Sequence, residues 1–112
     1  MTNEFVRPDW VPRVPAGMKL LITGATGGLG QALVAMLLEG DDCLIGAHGA
    51  SQKFESRDPR VIPLQREISD EHDCNVLVDG FAEKAGGIDG LVVLSGAIHF
   101  SGHWNDMSGN DW

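Results

Sequence analysis

Hydrophobic positions along this chain fall in short continuous runs that alternate with stretches of helical spacing. Met18–Thr23 carries continuous rather than alternating apolar residues, the mark of a strand buried on both faces. Gly28–Glu39 then places Leu29, Ala32, Leu33, Met36 and Leu37 at helical steps, with Gly40 at its end. Cys43–Ala47 reads as a second strand, and polar Ser51–Arg57 as a loop or one helical turn. Val61–Leu64 suits a third strand, although Pro63 removes an N–H that a central strand needs. Cys74, Leu77, Val78, Phe81, Ala82 and Ala85 form a helix face that Gly86-Gly87 stops. Leu91–Leu94 is the fourth strand.

Strands alternating with helices predict an α/β fold with a parallel, partly doubly wound sheet and helices on both faces. Right-handed crossovers from the first strand outward, and then back to its other side, give the order 3-2-1-4. The order reverses between strands 1 and 4, so a crevice is expected at their carboxyl ends. The turns after Thr23 and at Ser95-Gly96 both open there. Residues 1–16 read as a proline-containing extension, interrupted by Pro8, Pro12 and Pro15, and 17–112 as the unit that carries these strands and helices.

Thr23-Gly24-Ala25-Thr26-Gly27-Gly28-Leu29-Gly30 joins the first strand to the first helix. Side chains in such a turn would hold the backbone away from a pyrophosphate. The first N–H groups of the helix face the anion, and the helix dipole favours its charge. A glycine triplet alone is weak evidence; strand before and helix after supply the context it needs.

Composition narrows the partners. The 112 residues carry 8 basic and 16 acidic side chains, a formal net charge of −8, which argues against nucleic acid or an anionic membrane as a general partner. No apolar run is long enough to span a bilayer, and the start lacks the order of a signal peptide, so a cytoplasmic setting is expected. Cys43 and Cys74 both suit buried, reduced thiols, with a disulfide or metal role as the lesser reading. His99 and His103, with Asp106 nearby, have a spacing that can suit zinc but lack a clear third and fourth ligand, so no metal site is expected.

From Met18 onward the chain resembles the short-chain dehydrogenase/reductase family. Thr23, Gly24, Gly28 and Gly30 match its T-G-x-x-x-G-x-G turn, while Gly27 also satisfies the T-G-x-x-G-x-x-G spacing of the longer branch. Gly87-Ile88-Asp89-Gly90-Leu91-Val92 is similar to the lead-in to the fourth strand of the shorter branch. The N-N-A-G turn that follows there is replaced by Val93, Leu94, Ser95 and Gly96, which keeps only the glycine. The resemblance implies a nicotinamide dinucleotide, NADP or NAD, held by Thr23, Gly24, Thr26, Gly27, Gly28, Leu29, Gly30, Ser95 and Gly96. Glu67-Ile68-Ser69-Asp70 stands where the family has D-V-x-D, so Glu67 and the Ile68 N–H are candidates for adenine. A solvated helix-capping cluster is the equal alternative.

His48 falls where the family reads the adenosine ribose. A carboxylate there would repel a 2′-phosphate, and none is present; Lys53 and Arg57 are the nearest cations, so the balance leans to NADP. The family's chemistry rests on a serine and on a tyrosine followed four residues later by a lysine. This chain contains no tyrosine, so no catalytic residue is assigned. The sequence reads as the cofactor-binding first half of an oxidoreductase, cut at a helix entrance and inactive alone. The alternative is a non-catalytic nucleotide-binding or interaction module. The fourth strand, without a fifth beside it, would expose an apolar edge and favour self-association, and a full-length parent is expected to be a homo-oligomer.

Overall fold

A computed structural model describes residues 13–40, 42–96 and 104–106. Four strands, β1 (Met18–Thr23), β2 (Cys43–Gly49), β3 (Val61–Gln65) and β4 (Gly90–Val93), form one parallel sheet in the order β3-β2-β1-β4. Helix α1 (Gly28–Gly40) joins β1 to β2, and α2 (Glu71–Ala85) joins β3 to β4. A 3-10 turn covers Trp104–Asp106. The fold is the α/β arrangement expected, with the predicted strand order.

Side-chain alternation divides the interior into two layers. Leu20 and Ile22 of β1 meet Cys43, Ile45 and Ala47 of β2 and Val34 and Leu37 of α1 on one face. Leu21 points the other way, onto Leu77 and Phe81 of α2, with Ile62 and Leu64 of β3 beside them. This two-sided burial is why β1 shows no polar alternation. Val14 packs against the first layer, so the chain is already seated before β1 begins. Residues 1–12, with most of the proline-containing stretch, lie outside the described residues, as do His99 and His103.

Several expectations need correcting. The buried stripe of α1 is Gly30, Val34 and Leu37, with Leu33 and Leu38 partly covered, whereas Leu29 is 71% exposed. The stripe is rotated by one residue because Gly30 sets the contact: a Cβ there would lie 2.5 Å from Ala25 Cα. Cys74 is exposed, unlike buried Cys43, because α2 presents Leu77 and Phe81 to the sheet and no element among the described residues covers its first turn. Pro63 fits because, among the described residues, β3 is an edge strand bonded only to β2. Strand β2 runs two residues beyond Ala47, which carries His48 and Gly49 into the sheet.

Local signals fix the ends of α2. Asp70 caps it by accepting the Asp73 N–H at 2.9 Å, and Gly86 closes it at φ +82°, a left-handed conformation that glycine adopts without cost. The G-I-D lead-in then has a mechanical role. Asp89 accepts the Lys19 N–H at its carboxylate and donates its own N–H to the Lys19 carbonyl, which aligns β4 beside β1.

Gly46 sits in β2 under the ring of Phe81, where a Cβ would lie 2.5 Å from Cδ1. Because Phe81 is fully buried, the ring has little room to yield. Gly46→Ala is expected to destabilise the fold by about 1–3 kcal/mol through overpacking, read as a lower midpoint in chemical denaturation. An unchanged midpoint would show that α2 shifts freely on the sheet.

Candidate dinucleotide site

The turn after β1 runs beneath the end of β4. Gly24 has φ +70°, and a Cβ built on it would lie 2.6 Å from both Cα and N of Ser95. Only glycine fits, since the obstacle is backbone rather than a movable side chain. The Leu94 N–H donates to the Thr23 carbonyl, and the Thr23 and Ser95 hydroxyls lie 3.0 Å apart in a hydrogen bond. Thr23, Gly24 and Ser95 are thus brought together at the carboxyl ends of β1 and β4. Ile68 joins Thr23 and Ser95 in a small apolar hollow of about 170 Å³ that Cys74, Leu91 and Val93 also line.

Beyond Gly24 the turn opens outward. Gly27, Gly28 and Leu29 are exposed, and a Cβ on Gly28 would meet nothing within 4 Å. The Gly27 N–H turns inward to the Gly24 carbonyl, and the Gln31 side chain braces the Thr26 carbonyl at 2.7 Å. Helix α1 carries no acidic residue in its first turn, whereas α2 has Glu71 and Asp73 there and Asp70 as its cap. The positive end of α2 is therefore already compensated by the chain's own carboxylates, and that of α1 is not. Gly96, like Gly28, has open space around its Cβ position.

His48 does not face outward. It is 1% exposed, with Nδ1 accepting the Gly24 N–H at 3.1 Å and Nε2 placed 2.8 Å from the Arg66 carbonyl. The sequence placed a ribose-facing group here. The structure turns the imidazole inward, because β2 continues through His48 and its side chain shares the α2 face with Gly46. Gly49 next to it was missed: a Cβ there would collide with the Gln52 carbonyl and lie 2.6 Å from Thr26 Cγ2. That glycine lets the segment after β2 fold back against the turn. Lys53 and Phe54 follow, lining with Thr26 and Gln31 a cleft of about 820 Å³ against α1.

The segment after β3 is organised around Asp73. One carboxylate oxygen accepts the Ser69 hydroxyl and N–H at 2.8 and 3.0 Å, and the other accepts Arg66. The Ser69 bonds first, and then the Arg66 guanidinium, hold this carboxyl well below the usual carboxylate range. Ser69 and Asp70 are thus engaged at the entrance of α2, as the capping alternative expected, while Glu67 and Ile68 remain exposed between the two elements. Asp58, bonded by the side chain and backbone of Arg60, is similarly lowered to about 2. Arg60 also reaches the Leu38 carbonyl and so ties the β2–β3 connection to the end of α1.

The sequence profile described as short chain dehydrogenase matches residues 19–112. The chain belongs to the short-chain dehydrogenase family. Members of this family of oxidoreductases bind a nicotinamide dinucleotide. Among curated proteins, Hydroxysteroid dehydrogenase-like protein 2 of Danio rerio is 30% identical over a match covering 78% of this chain and 24% of the relative. The 11-beta-hydroxysteroid dehydrogenase A of Sesamum indicum is 29% identical, over 77% of this chain and 27% of the relative. The chain thus spans about a quarter of the length of these relatives. Among the described residues no group of three metal-ligating side chains converges, and no helix is long and apolar enough to cross a membrane.

A carboxylate whose pKa is lowered on folding contributes stability above its unfolded value near 3.9, and that contribution is lost as the pH falls through the folded value. Ser69→Ala is expected to raise the Asp73 midpoint, followed by carboxyl carbon NMR. The stability difference from wild type should be present at neutral pH and shrink below about pH 4. An unmoved Asp73 midpoint would assign the lowering to Arg66 alone.

Proposed function

We propose that the chain is the dinucleotide-binding part of a short-chain oxidoreductase, with NADP favoured over NAD. One observation carries the reading: the uncompensated start of α1 opens, through Gly27 and Gly28, at the carboxyl ends of β1 and β4, where the strand order reverses. The residues fit such a group. The amides at the start of α1 bind the pyrophosphate, Gly24 lets the turn pass Ser95, and Gly28 leaves the approach free of a side chain. Thr23, Thr26, Leu29, Ser95 and Gly96 complete the edge of the site, with Gly30 holding α1 close to the strand. Glu67 and the Ile68 N–H border the adenine, and His48 contributes through the turn rather than by direct contact.

The end of β2 presents no carboxylate to repel a 2′-phosphate, and this favours NADP; the cleft beside Thr26 holds both Lys53 and Glu55. When bound, the nicotinamide supplies hydride exchange with a carbonyl or alcohol carbon. This chain contributes binding and orientation. With no tyrosine in its 112 residues, it carries no phenolic proton donor of the family's kind and is inactive on its own. Division into residues 1–16 as an extension and 17–112 as the binding unit follows from the same reading, as does a cytoplasmic setting.

Strand β4 is a sheet edge with Leu91 54% and Val93 64% exposed on its α2 face. Such an edge pairs readily with another chain. The isolated chain is expected to self-associate in size-exclusion chromatography with light scattering; a sharp monomer peak contradicts this.

The binding reading is tested by fluorescence titration of the full chain with NADPH and NADH. Wild type is expected to bind both, NADPH more tightly. Gly28→Val, whose side chain enters open space, should keep its unfolding midpoint and lose roughly tenfold or more in affinity, the scale of a lost charge-assisted hydrogen bond. Binding unaffected by this substitution overturns the placement of the pyrophosphate, and tighter NADH binding overturns the preference.

A further inference from the structure

His48 is the one buried polar or charged side chain among the described residues, and no step of dinucleotide binding accounts for its burial. It lies at the end of β2 on the α2 face, between two loops. Its Nδ1 accepts the Gly24 N–H at 3.1 Å, and its own carbonyl accepts the next amide, Ala25 N–H, at 2.7 Å. A nitrogen that accepts from an amide carries no proton, so the ring proton belongs on Nε2, which donates to the Arg66 carbonyl at 2.8 Å. The Arg66 N–H in turn donates to the Gly49 carbonyl at 3.0 Å. One residue therefore holds two consecutive amides of the glycine turn and anchors them to the chain leaving β3.

We propose that His48 is a positioning residue for dinucleotide binding, and that it secures the glycine turn only while its Nδ1 is unprotonated. The proposal rests on the reading of that turn as the dinucleotide site. A proton on Nδ1 converts an acceptor into a donor facing the Gly24 N–H. Two donors then oppose each other where water does not reach, and the amide loses its partner. The turn has little freedom to adapt, because Gly24 is closely fitted against Ser95.

The titratable and charged side chains on the segment after β3 and the first turn of α2 are Arg66, Glu67, Asp70, Glu71, His72 and Asp73, with Asp79, Glu83 and Lys84 further along α2 and Lys19 on β1. Arg66 and Asp73 are paired with each other, and the turn after β1 carries no charge. The two hydrogen bonds of the ring are the contacts that a proton on Nδ1 would change.

The test follows the histidine ring nitrogens and the Gly24 amide of the full chain by nitrogen-15 NMR as the pH is lowered from about 8 to 5. NADH affinity is measured over the same range, because NADH lacks the 2′-phosphate that would itself titrate there. The expected result is an acceptor Nδ1 and a protonated Nε2 at neutral pH. The Gly24 amide and NADH affinity should then change together with the His48 ring, affinity falling roughly tenfold on the acid side. His48→Asn, which keeps an acceptor near the Nδ1 position, should bind with a flat pH profile. His48→Gln, which reaches only toward Arg66, should bind weakly at every pH.

A proton on Nδ1 at neutral pH, or NADH affinity that shows no step with the wild-type ring, overturns the proposal. A ring and Gly24 amide that titrate together in a chain binding neither NADH nor NADPH at any pH would instead overturn the dinucleotide reading. His48 would then be a latch of the fold without a role in binding.

Discussion

Backbone passes backbone at Gly24, and the carboxyl edge of the sheet is arranged around that contact. A side chain at this point would occupy the space of the Ser95 main chain, so β4 could not lie beside β1 with its present register. The left-handed φ of Gly24 turns the chain outward at once, and Gly30 lets the new helix settle against Ala25. Two glycines thus serve packing, while Gly27 and Gly28 lie free at the mouth. Within one motif, close approach requires glycine at Gly24 and Gly30, while Gly28 leaves open space at the surface.

Periodicity made the strands and helices legible, because β1 and β2 are continuous apolar runs covered on both faces and each helix is amphipathic enough to show its step. The order 3-2-1-4 followed from the alternation of elements and the handedness of crossovers. What periodicity could not reveal was which of two apolar stripes on α1 faces the sheet. Leu29, Ala32 and Met36 look as apolar as Val34 and Leu37, and the choice is made by Gly30, a residue with no hydrophobicity to read. Cys74 misled for a related reason: it has the correct step for the α2 face but lies one turn beyond the part of the helix that the sheet reaches. Pro63 was ambiguous until strand order made β3 an edge.

At the candidate site the glycine turn, Thr23 and Ser95 were visible from motif and topology. His48 was located by counting, but its direction depended on where β2 ends, and strand ends are set by tertiary pairing rather than by local sequence. Gly49 had no clear sequence signal, since its role depends on a loop folding back onto a neighbouring element, whereas the local Ser69–Asp73 bonds belong to the helix-capping cluster that the sequence offered as an alternative. That the 112 residues include no tyrosine was visible at once. The polar residues of this face stabilise loops and helix ends, while Leu91 and Val93 of β4 remain exposed.

The central claim is that the start of α1, at the carboxyl ends of β1 and β4, receives the dinucleotide. A residue-resolved NMR titration of the full chain with NADPH tests it most directly. The predicted result is saturable perturbation concentrated on the amides of Gly24 to Gln31 and of Ser95 and Gly96. Perturbation confined to the cleft beside Phe54, or none at all at saturating NADPH, would contradict it.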